Sequence, residues 1–296
     1  MRSKSFIILP ALALVVSGLF VVFAQQPDDE VRGAFLSSRP KTTNANGPSR
    51  RHRRNTNASS NTSANISANA NITIVSANNS NSKTSSVAIG LGYTLFMRDE
   101  KGRSVRIEPA REFHNGDSVR ISLEPNIDGY VYVFHTENDG PAEMIYPDAR
   151  LDNGDNSIEA HVPIEVPSSE ETDERLRWFT FYGNGGTEHL YVAVTREPLA
   201  GVPTGNDLVN WCAANKDKCP WHPPAEVWMR IMQDTVRSNV KVVTTKTFGQ
   251  TQTEKEKVAT TRGLGLDRTA PQPSVIRMNA STTAPLLVTV LDLVHK

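Results

Sequence analysis

The sequence lacks the short motifs by which most hydrolases and nucleotide-binding enzymes are recognised. The patterns G-x-S-x-G, H-E-x-x-H and G-x-x-x-x-G-K are all absent. Adjacent carboxylates occur at Glu170-Glu171, but the surrounding Ser168–Glu174 segment has the composition of an acidic, solvated loop. We therefore predict that the chain is not an enzyme and needs no cofactor.

The chain also lacks net charge, with 32 basic and 32 acidic residues, so no nucleic-acid partner is expected of the chain as a whole. Acidic residues are missing altogether between Val31 and Arg98, whereas four arginines cluster at Arg50, Arg51, Arg53 and Arg54. This basic cluster would suit an anionic membrane surface, nucleic acid or an acidic polymer. A solvated tail without a partner is the simpler interpretation.

A long apolar run occurs at the N-terminus. Arg2 and Lys4 precede an uncharged, mostly apolar stretch from Phe6 to Phe23, and Val22 and Ala24 occupy the third and first positions before polar Gln25-Gln26. This order is typical of an export signal, so residues 1–24 are predicted to be a signal peptide. The alternative is an uncleaved membrane anchor through residues 6–23, because that run is almost long enough to span a bilayer. No cysteine lies near Ala24, which excludes a lipoprotein anchor.

Large apolar residues are scarce between residues 25 and 86, where Asn, Ser, Thr and Ala dominate. Such a composition cannot bury enough apolar surface to offset the entropy of ordering the chain. We predict a disordered linker over residues 25–86, with an r.m.s. reach of roughly 40–45 Å.

Alternating apolar residues appear in the segment that follows. In Ser118–Glu124 the apolar residues Val119, Ile121 and Leu123 alternate with polar ones, which is the period of a half-buried strand. Tyr130–Thr136 is apolar on both faces, as in a strand covered on both sides. Further strand candidates separated by turn residues are Leu91–Met97, Ser104–Ile107, Met144–Tyr146, Ser157–Val166, Trp178–Tyr182 and His189–Thr195. Short strands at this spacing predict an all-β fold, an antiparallel β-sandwich-like domain over residues 87–200.

The pattern changes at Pro203. Asn206–Lys216 has apolar residues at helical spacing, and Pro223-Pro224-Ala225 begins a second helix. Residues 201–238 are therefore predicted to be a short two-helix insertion. Strand patterns return at Val240–Phe248, Ser274–Met278 and Leu286–His295. We predict that residues 239–296 complete the β domain.

Cys212, Cys219 and His222 form a C-x6-C-x2-H pattern. In an exported protein the compartment is oxidising, so a Cys212–Cys219 disulfide is the expected state, with free thiols and a metal site as alternatives. Closing so short a loop would stabilise the fold by about 2–3 kcal/mol.

Other side chains allow weaker hypotheses. Four aromatic residues at strand positions are candidates for a ligand face, although such residues more often pack in a core. Four histidines beside strands would allow a zinc site, and a group rich in Asp and Asn would allow calcium, although neither shows a metal-binding spacing. The aromatic residues are Tyr130, Tyr132, Trp178 and Tyr191; the histidines are His114, His135, His161 and His189; the oxygen ligands are Asp139, Asp148, Asp152, Asn153, Asp155 and Asn156.

The strand and turn residues together resemble the bacterial domain-of-unknown-function 4384 family over about residues 91–199. The residues that carry the resemblance are Gly116-Asp117, Asp128-Gly129-Tyr130, Asp139-Gly140 and Tyr146-Pro147. The resemblance implies a β-rich, non-catalytic accessory domain that is often exported or attached to enzyme or signalling modules. It supplies no catalytic residues, and this chain has no recognisable enzyme module beside it. Residues 202–296 lie outside the resemblance.

These observations lead to an expected role for the chain. We expect an extracytoplasmic module, periplasmic or secreted and either free or anchored to the inner membrane, that acts in binding or structure at the cell envelope. Its partner would be an envelope protein or a cell-wall polymer. A carbohydrate-binding protein is the first alternative, and a metal-dependent hydrolase is the second.

Overall fold

In this computed structural model, which describes residues 27–42 and 87–296, two β-sheets pack face to face. Its helices are α1 (Pro27–Ser37), α2 (Gly205–Ala214), α3 (Ala225–Arg237) and α4 (Glu254–Arg262). Its strands are β1 (Gly90–Arg98), β2 (Ser104–Ile107), β3 (Glu112–Phe113), β4 (Ser118–Pro125), β5 (Gly129–Glu137), β6 (Glu143–Tyr146), β7 (Ser157–Ile158), β8 (Ile164–Val166), β9 (Phe179–Thr180), β10 (Gly186–Thr195), β11 (Val240–Thr244), β12 (Val275–Asn279) and β13 (Leu286–His295).

The first sheet, sheet A, has the strand order β11-β12-β1-β4-β8, with β2 paired to β1 and β9 paired to β4. The second, sheet B, has the order β3-β13-β10-β5-β6, with β7 paired to β5. All pairs are antiparallel except β13 with β3. The predicted all-β, antiparallel sandwich with a short helical insertion is therefore confirmed.

Alternation along the central strands sorts side chains between two apolar layers. In β4, Val119, Ile121 and Leu123 point between the sheets, as their period predicted. In β5, Val131 and Val133 belong to the same core. The burial of each side chain stabilises the fold by about 1.5–3 kcal/mol.

The other face of sheet B is covered by helices, which explains why β5 is apolar on both sides. Tyr132 and Phe134 are fully buried in a second apolar cluster. Leu208 of α2 and Val227 and Ile231 of α3 belong to the same cluster. The two-helix insertion thus forms a cover for sheet B.

The outer face of sheet A is covered by the N-terminal strap, defined here as residues 27–40. Val31 and Phe35 of α1 are buried against Ile276 of β12. Gly92 of β1 makes room, because a Cβ there would lie 3.0 Å from the Phe35 ring and 2.5 Å from Pro273. A larger residue at position 92 would therefore displace the strap.

This strap corrects the prediction of a disordered linker starting at residue 25. Val31 and Phe35 are spaced i, i+4, and the acidic residues Asp28, Asp29 and Glu30 occupy the first turn of α1, where they favour the helix. The low apolar content of the whole 25–86 segment concealed this short amphipathic stretch. Residues 43–86 of the predicted linker lie outside the described residues.

Helix α4 is not among the elements predicted from the sequence, which were strands throughout residues 239–296. Thr253 and Glu256 form a capping box, and Gly263 ends the helix with a φ of 57°. The S/T-x-x-E signal was therefore present in the sequence. Otherwise β11, β12 and β13 complete the two sheets.

The predicted signal peptide or anchor, residues 1–24, lies outside the described residues. Within the described ranges, no helix has the length and apolar content needed to cross a bilayer.

Candidate binding cleft

One cleft, named the larger cleft, lies where edge strands of the two sheets face each other. It has a volume of about 500 Å³ and is lined by β6 of sheet B and by β8 of sheet A. Pro147 follows β6 and Pro167 follows β8, and both line the cleft. Because proline has no N–H to donate, each strand ends at the rim.

The floor of the larger cleft is apolar, and its rim is acidic. Ile145, Ile164 and Val166 contribute apolar surface, and the rim residue Leu176 is 43 % exposed. Asp148 is held by Arg150, whose Nε lies 3.0 Å from its carboxylate. Among the described side chains that line the cleft, Arg150 is the one Lys or Arg, whereas the rim carries four exposed or half-buried carboxylates besides Asp148. They are Asp152, Asp155, Glu170 and Glu171.

A disulfide loop closes one side of this cleft. Cys212 at the end of α2 is bridged to Cys219, with 5.3 Å between their Cα atoms, as the sequence predicted. The loop is joined to β6, since the Met144 N–H donates to the Trp221 carbonyl at 2.8 Å. His222 contacts the Ala142 carbonyl through Nδ1 at 2.9 Å. The loop therefore caps part of the free edge of β6.

A second, smaller cleft of about 260 Å³ adjoins the first, because Ile145 and Phe179 line both. It lies between sheet A, which contributes Val119, and sheet B, which contributes Leu190. Tyr182 lies at its mouth and is 76 % exposed.

His135 stands between two carboxylates in the smaller cleft. Its Nδ1 lies 3.0 Å from Glu143 and its Nε2 lies 2.6 Å from Glu188. Burial by itself would lower the pKa of His135, but the hydrogen bonds to the two carboxylates outweigh it, so that pKa is raised. The hydrogen bond from His135 lowers the pKa of Glu143. The three residues therefore hold one imidazolium and two carboxylates.

A different polar chain lies under the N-terminal strap. Glu124 Oε1 is 2.8 Å from His161 Nδ1, and His161 Nε2 is 2.8 Å from Ser38 Oγ. The order resembles an acid, a base and a nucleophile. However, the Ser38 hydroxyl also lies 2.6 Å from the Phe35 carbonyl, to which only that hydroxyl can donate. Glu124 is in addition neutralised by Arg39. These contacts hold the strap in place and do not activate Ser38.

The four predicted aromatic ligand residues do not form one exposed face. Tyr132 is fully buried and its hydroxyl accepts from the Leu199 N–H at 3.0 Å. Tyr191 packs edge-on against Trp228 at 4.8 Å, and Tyr130 is half-buried in the same cluster beneath the helices. Trp178 lies elsewhere, under the Arg120 guanidinium at 4.1 Å. The helical cover of sheet B thus separates Tyr130, Tyr132 and Tyr191 from Trp178, which lines the larger cleft.

The predicted metal ligands are distributed over separate sites. His114 lies on an exposed turn, His189 pairs with Asp292 at 2.7 Å, and His135 and His161 contact the carboxylates described above. Of the calcium candidates, Asp148, Asp152 and Asp155 share the rim of the larger cleft, while buried Asn156 donates to the Val131 carbonyl. Among the described residues, no group of three or more His, Cys, Asp or Glu side chains could hold a metal ion.

No sequence pattern indicated the contact between His135, Glu143 and Glu188, because the residues belong to three strands. Register brings them together: His135 lies opposite Glu143 across β5 and β6, and β10 pairs with the other edge of β5. Strand periodicity alone does not specify which edges meet.

No curated protein and no solved structure matches the chain. Residues 112–198 match the model of a family described as Domain of unknown function (DUF4384). This range runs from β3 to beyond β10 and supplies most of the residues that line the two clefts. The central segment of the chain thus matches the DUF4384 family, as the residues of the sequence indicated.

Proposed function

We propose that this protein is a non-catalytic binding module whose ligand is an extended, basic segment of a partner protein. The observation that carries the proposal is the larger cleft, which combines about 500 Å³ of space with an apolar floor and a rim whose described side chains include five carboxylates and one arginine. Volumes of roughly 300–1,000 Å³ are typical of ligand sites in proteins. Charge complementarity then selects a cationic occupant.

The position of the cleft favours an extended chain over a compact ligand. Edge strands from both sheets, β6 and β8, line it, and exposed edges commonly accept an added strand from a partner. The Trp221 carbonyl occupies one donor of β6, at Met144, so the ligand would contact the edge beside the disulfide loop. Leu176 offers exposed apolar surface at the rim.

The Cys212–Cys219 disulfide supports an extracytoplasmic location, because such bridges persist in oxidising compartments. We therefore propose that the partner is a protein of the cell envelope. A cell-wall polymer is the competing ligand, and the binding experiment below includes it as an outcome.

The test is fluorescence anisotropy with the full chain in detergent and labelled twelve-residue peptides. One peptide carries alternating lysine and serine, and its counterpart carries glutamate in place of lysine. The lysine peptide is expected to bind saturably, and the glutamate peptide is not. Saturable binding of cell-wall fragments that blocks the lysine peptide would favour the polymer instead.

Two double variants test whether the lysine peptide binds at the larger cleft. The double variant Glu170→Gln/Glu171→Gln is expected to lower the affinity for the lysine peptide about three- to tenfold, since each exposed charge pair contributes about 0.2–1 kcal/mol. The matched control is Glu100→Gln/Glu108→Gln, which removes two exposed carboxylates that do not line either cleft. Equal weakening by both double variants would show that only overall charge matters and would overturn the proposal.

A further inference from the structure

The smaller cleft has a composition different from that of the larger one. Its walls come mainly from apolar residues of both sheets, including Val119, Phe181, Leu190 and Leu293. Its volume of about 260 Å³ is below that of sites for drug-sized ligands. The space therefore suits a single side chain.

The polar groups of the smaller cleft are concentrated at His135, Glu143 and Glu188. Carboxylates accept hydrogen bonds and do not donate them when ionised, so both nitrogens of His135 must carry protons. One imidazolium between two carboxylates leaves a net charge of −1. His222 also has a small electrostatic effect that lowers the pKa of Glu143. An additional cation would therefore be attracted to this end of the smaller cleft.

The two clefts are joined. Ile145 and Phe179 line both, and a chain in the larger cleft would pass directly over these two residues. Tyr182, which is 76 % exposed, stands at the outer side of the smaller cleft. Its ring is placed to cover an apolar group that enters between the sheets.

Resting on the function proposed above, we infer that the smaller cleft is an anchor subsite for one apolar side chain of the bound segment. A basic residue beside that side chain would contact Glu143 and Glu188. The recognised ligand class is then an extended peptide that contains an apolar residue next to a lysine or arginine. The anchor subsite would add selectivity for an apolar side chain to the larger cleft, which by itself selects only for positive charge.

The experiment compares three labelled peptides of equal length and charge with the full chain. The first is the lysine–serine peptide, the second replaces one central serine with phenylalanine, and the third replaces the same serine with asparagine. The phenylalanine peptide is expected to bind at least about tenfold more tightly, the effect of burying one large apolar side chain. The asparagine peptide should bind like the parent.

Two variants assign that gain to the smaller cleft, and a third tests its charge. Thr180→Trp fills the subsite, and Tyr182→Ala removes the exposed ring without opening the core. Each of these two should reduce the phenylalanine gain to threefold or less and leave binding of the lysine–serine peptide nearly unchanged. Glu188→Gln removes a carboxylate that contacts the basic residue, so it should weaken the binding of both peptides by a similar factor. Glu108→Gln is the control and should leave the gain intact. Because Tyr182 is exposed, its variant remains informative even where Thr180→Trp fails to fold.

The outcomes separate this inference from the proposed function. Binding of the lysine–serine peptide with no gain from phenylalanine would overturn the anchor subsite and leave the larger cleft supported. A gain that survives in Tyr182→Ala would place the apolar contact elsewhere and also overturn the subsite. Binding of no peptide would overturn the proposed function itself.

Discussion

Arg39 and Glu124 form a bidentate ion pair across a sequence separation of 85. Nε and Nη2 of Arg39 lie 2.7 and 2.6 Å from the two carboxylate oxygens of Glu124. The remaining guanidinium donors reach the carbonyls of Asp267, Ala270 and Pro271. The Arg39 side chain is 1 % exposed, so the pair fastens the N-terminal strap to sheet A and to the segment after α4.

Removing the arginine should destabilise the fold strongly. Arg39→Met leaves Glu124 charged, buried and short of its main partner, which costs about 3–5 kcal/mol for pairs of this kind. Lys41→Ala, two residues away and exposed, should change stability by less than about 0.5 kcal/mol. Urea unfolding of both variants measures the difference. The double variant Arg39→Met/Glu124→Gln should recover part of the loss, and no recovery would contradict the assigned pairing.

The His135 site should give a stability term that depends on pH. Because its folded-state pKa is raised, its contribution is fully present below the unfolded value, about 6.5, and is lost as pH rises through the folded value. Glu143, with a lowered pKa, contributes above its own unfolded value and loses that contribution as pH falls through the folded value.

The stability difference between the wild type and His135→Gln should therefore be largest between about pH 5 and 6.5 and should shrink toward pH 9. Chemical unfolding at a series of pH values measures it. His114→Gln, on an exposed turn, is the control and should show no comparable fall. A difference that is constant across this range would contradict the assigned charge state of the site.

The disulfide should contribute to stability and to the shape of the larger cleft. The bridge closes a loop with a sequence separation of 7, for which the chain-entropy model gives about 2–3 kcal/mol. The double variant Cys212→Ser/Cys219→Ser should lower the free energy of unfolding by that amount. It should also weaken binding of the lysine–serine peptide. Unchanged peptide binding would mean that the loop does not form a wall of the binding site.

In helix α4, two variants should separate the two structural roles of Glu256. It completes the capping box with Thr253 and pairs with buried Arg106. Thr253→Ala removes only the cap and should cost about 1 kcal/mol. Glu256→Gln also breaks a buried ion pair and should cost about 3–5 kcal/mol. Similar losses in thermal or urea unfolding would show that the ion pair adds little.

Local patterns predicted the parts of this fold that depend on local order. The alternation of Val119, Ile121 and Leu123 placed β4 correctly, and the two apolar faces of β5 indicated a covered strand. The i, i+4 pair Val31 and Phe35 was a usable signal for α1, but it lay inside a segment whose average composition indicated disorder. Averaging over residues 25–86 concealed it.

The candidate site was less accessible to sequence reasoning for a physical reason. Glu143 and Glu188 approach His135 only through strand register, and the clefts form where edges of two sheets meet. Such relationships are long-range and leave no spacing pattern in the chain. The buried position of Tyr132, by contrast, was compatible with its strand period, and α2 and α3 cover the face of sheet B on which it lies.

The N-terminal strap leads to the last prediction, on how the first residues are held to the sandwich. Since Val31, Phe35 and Arg39 are buried against sheet A and its flanking segment, the strap should remain bound after the connecting chain is cut. A specific protease site replacing residues 59–64 allows that cut without touching residues 27–42 or 87–296. The two fragments are expected to co-elute in gel filtration.

The variant Arg39→Met in the same cleavable chain should release the N-terminal fragment, because the strap then loses its ion pair and three carbonyl contacts. Lys41→Ala should not release it. Separation of the fragments in the otherwise unchanged chain would show that the strap is held only by its covalent connection. Co-elution would mean that the strap binds the sandwich by itself. The segment between the strap and residue 87 would then be attached to the domain at both ends, and the reach predicted for a linker starting at residue 25 would not apply.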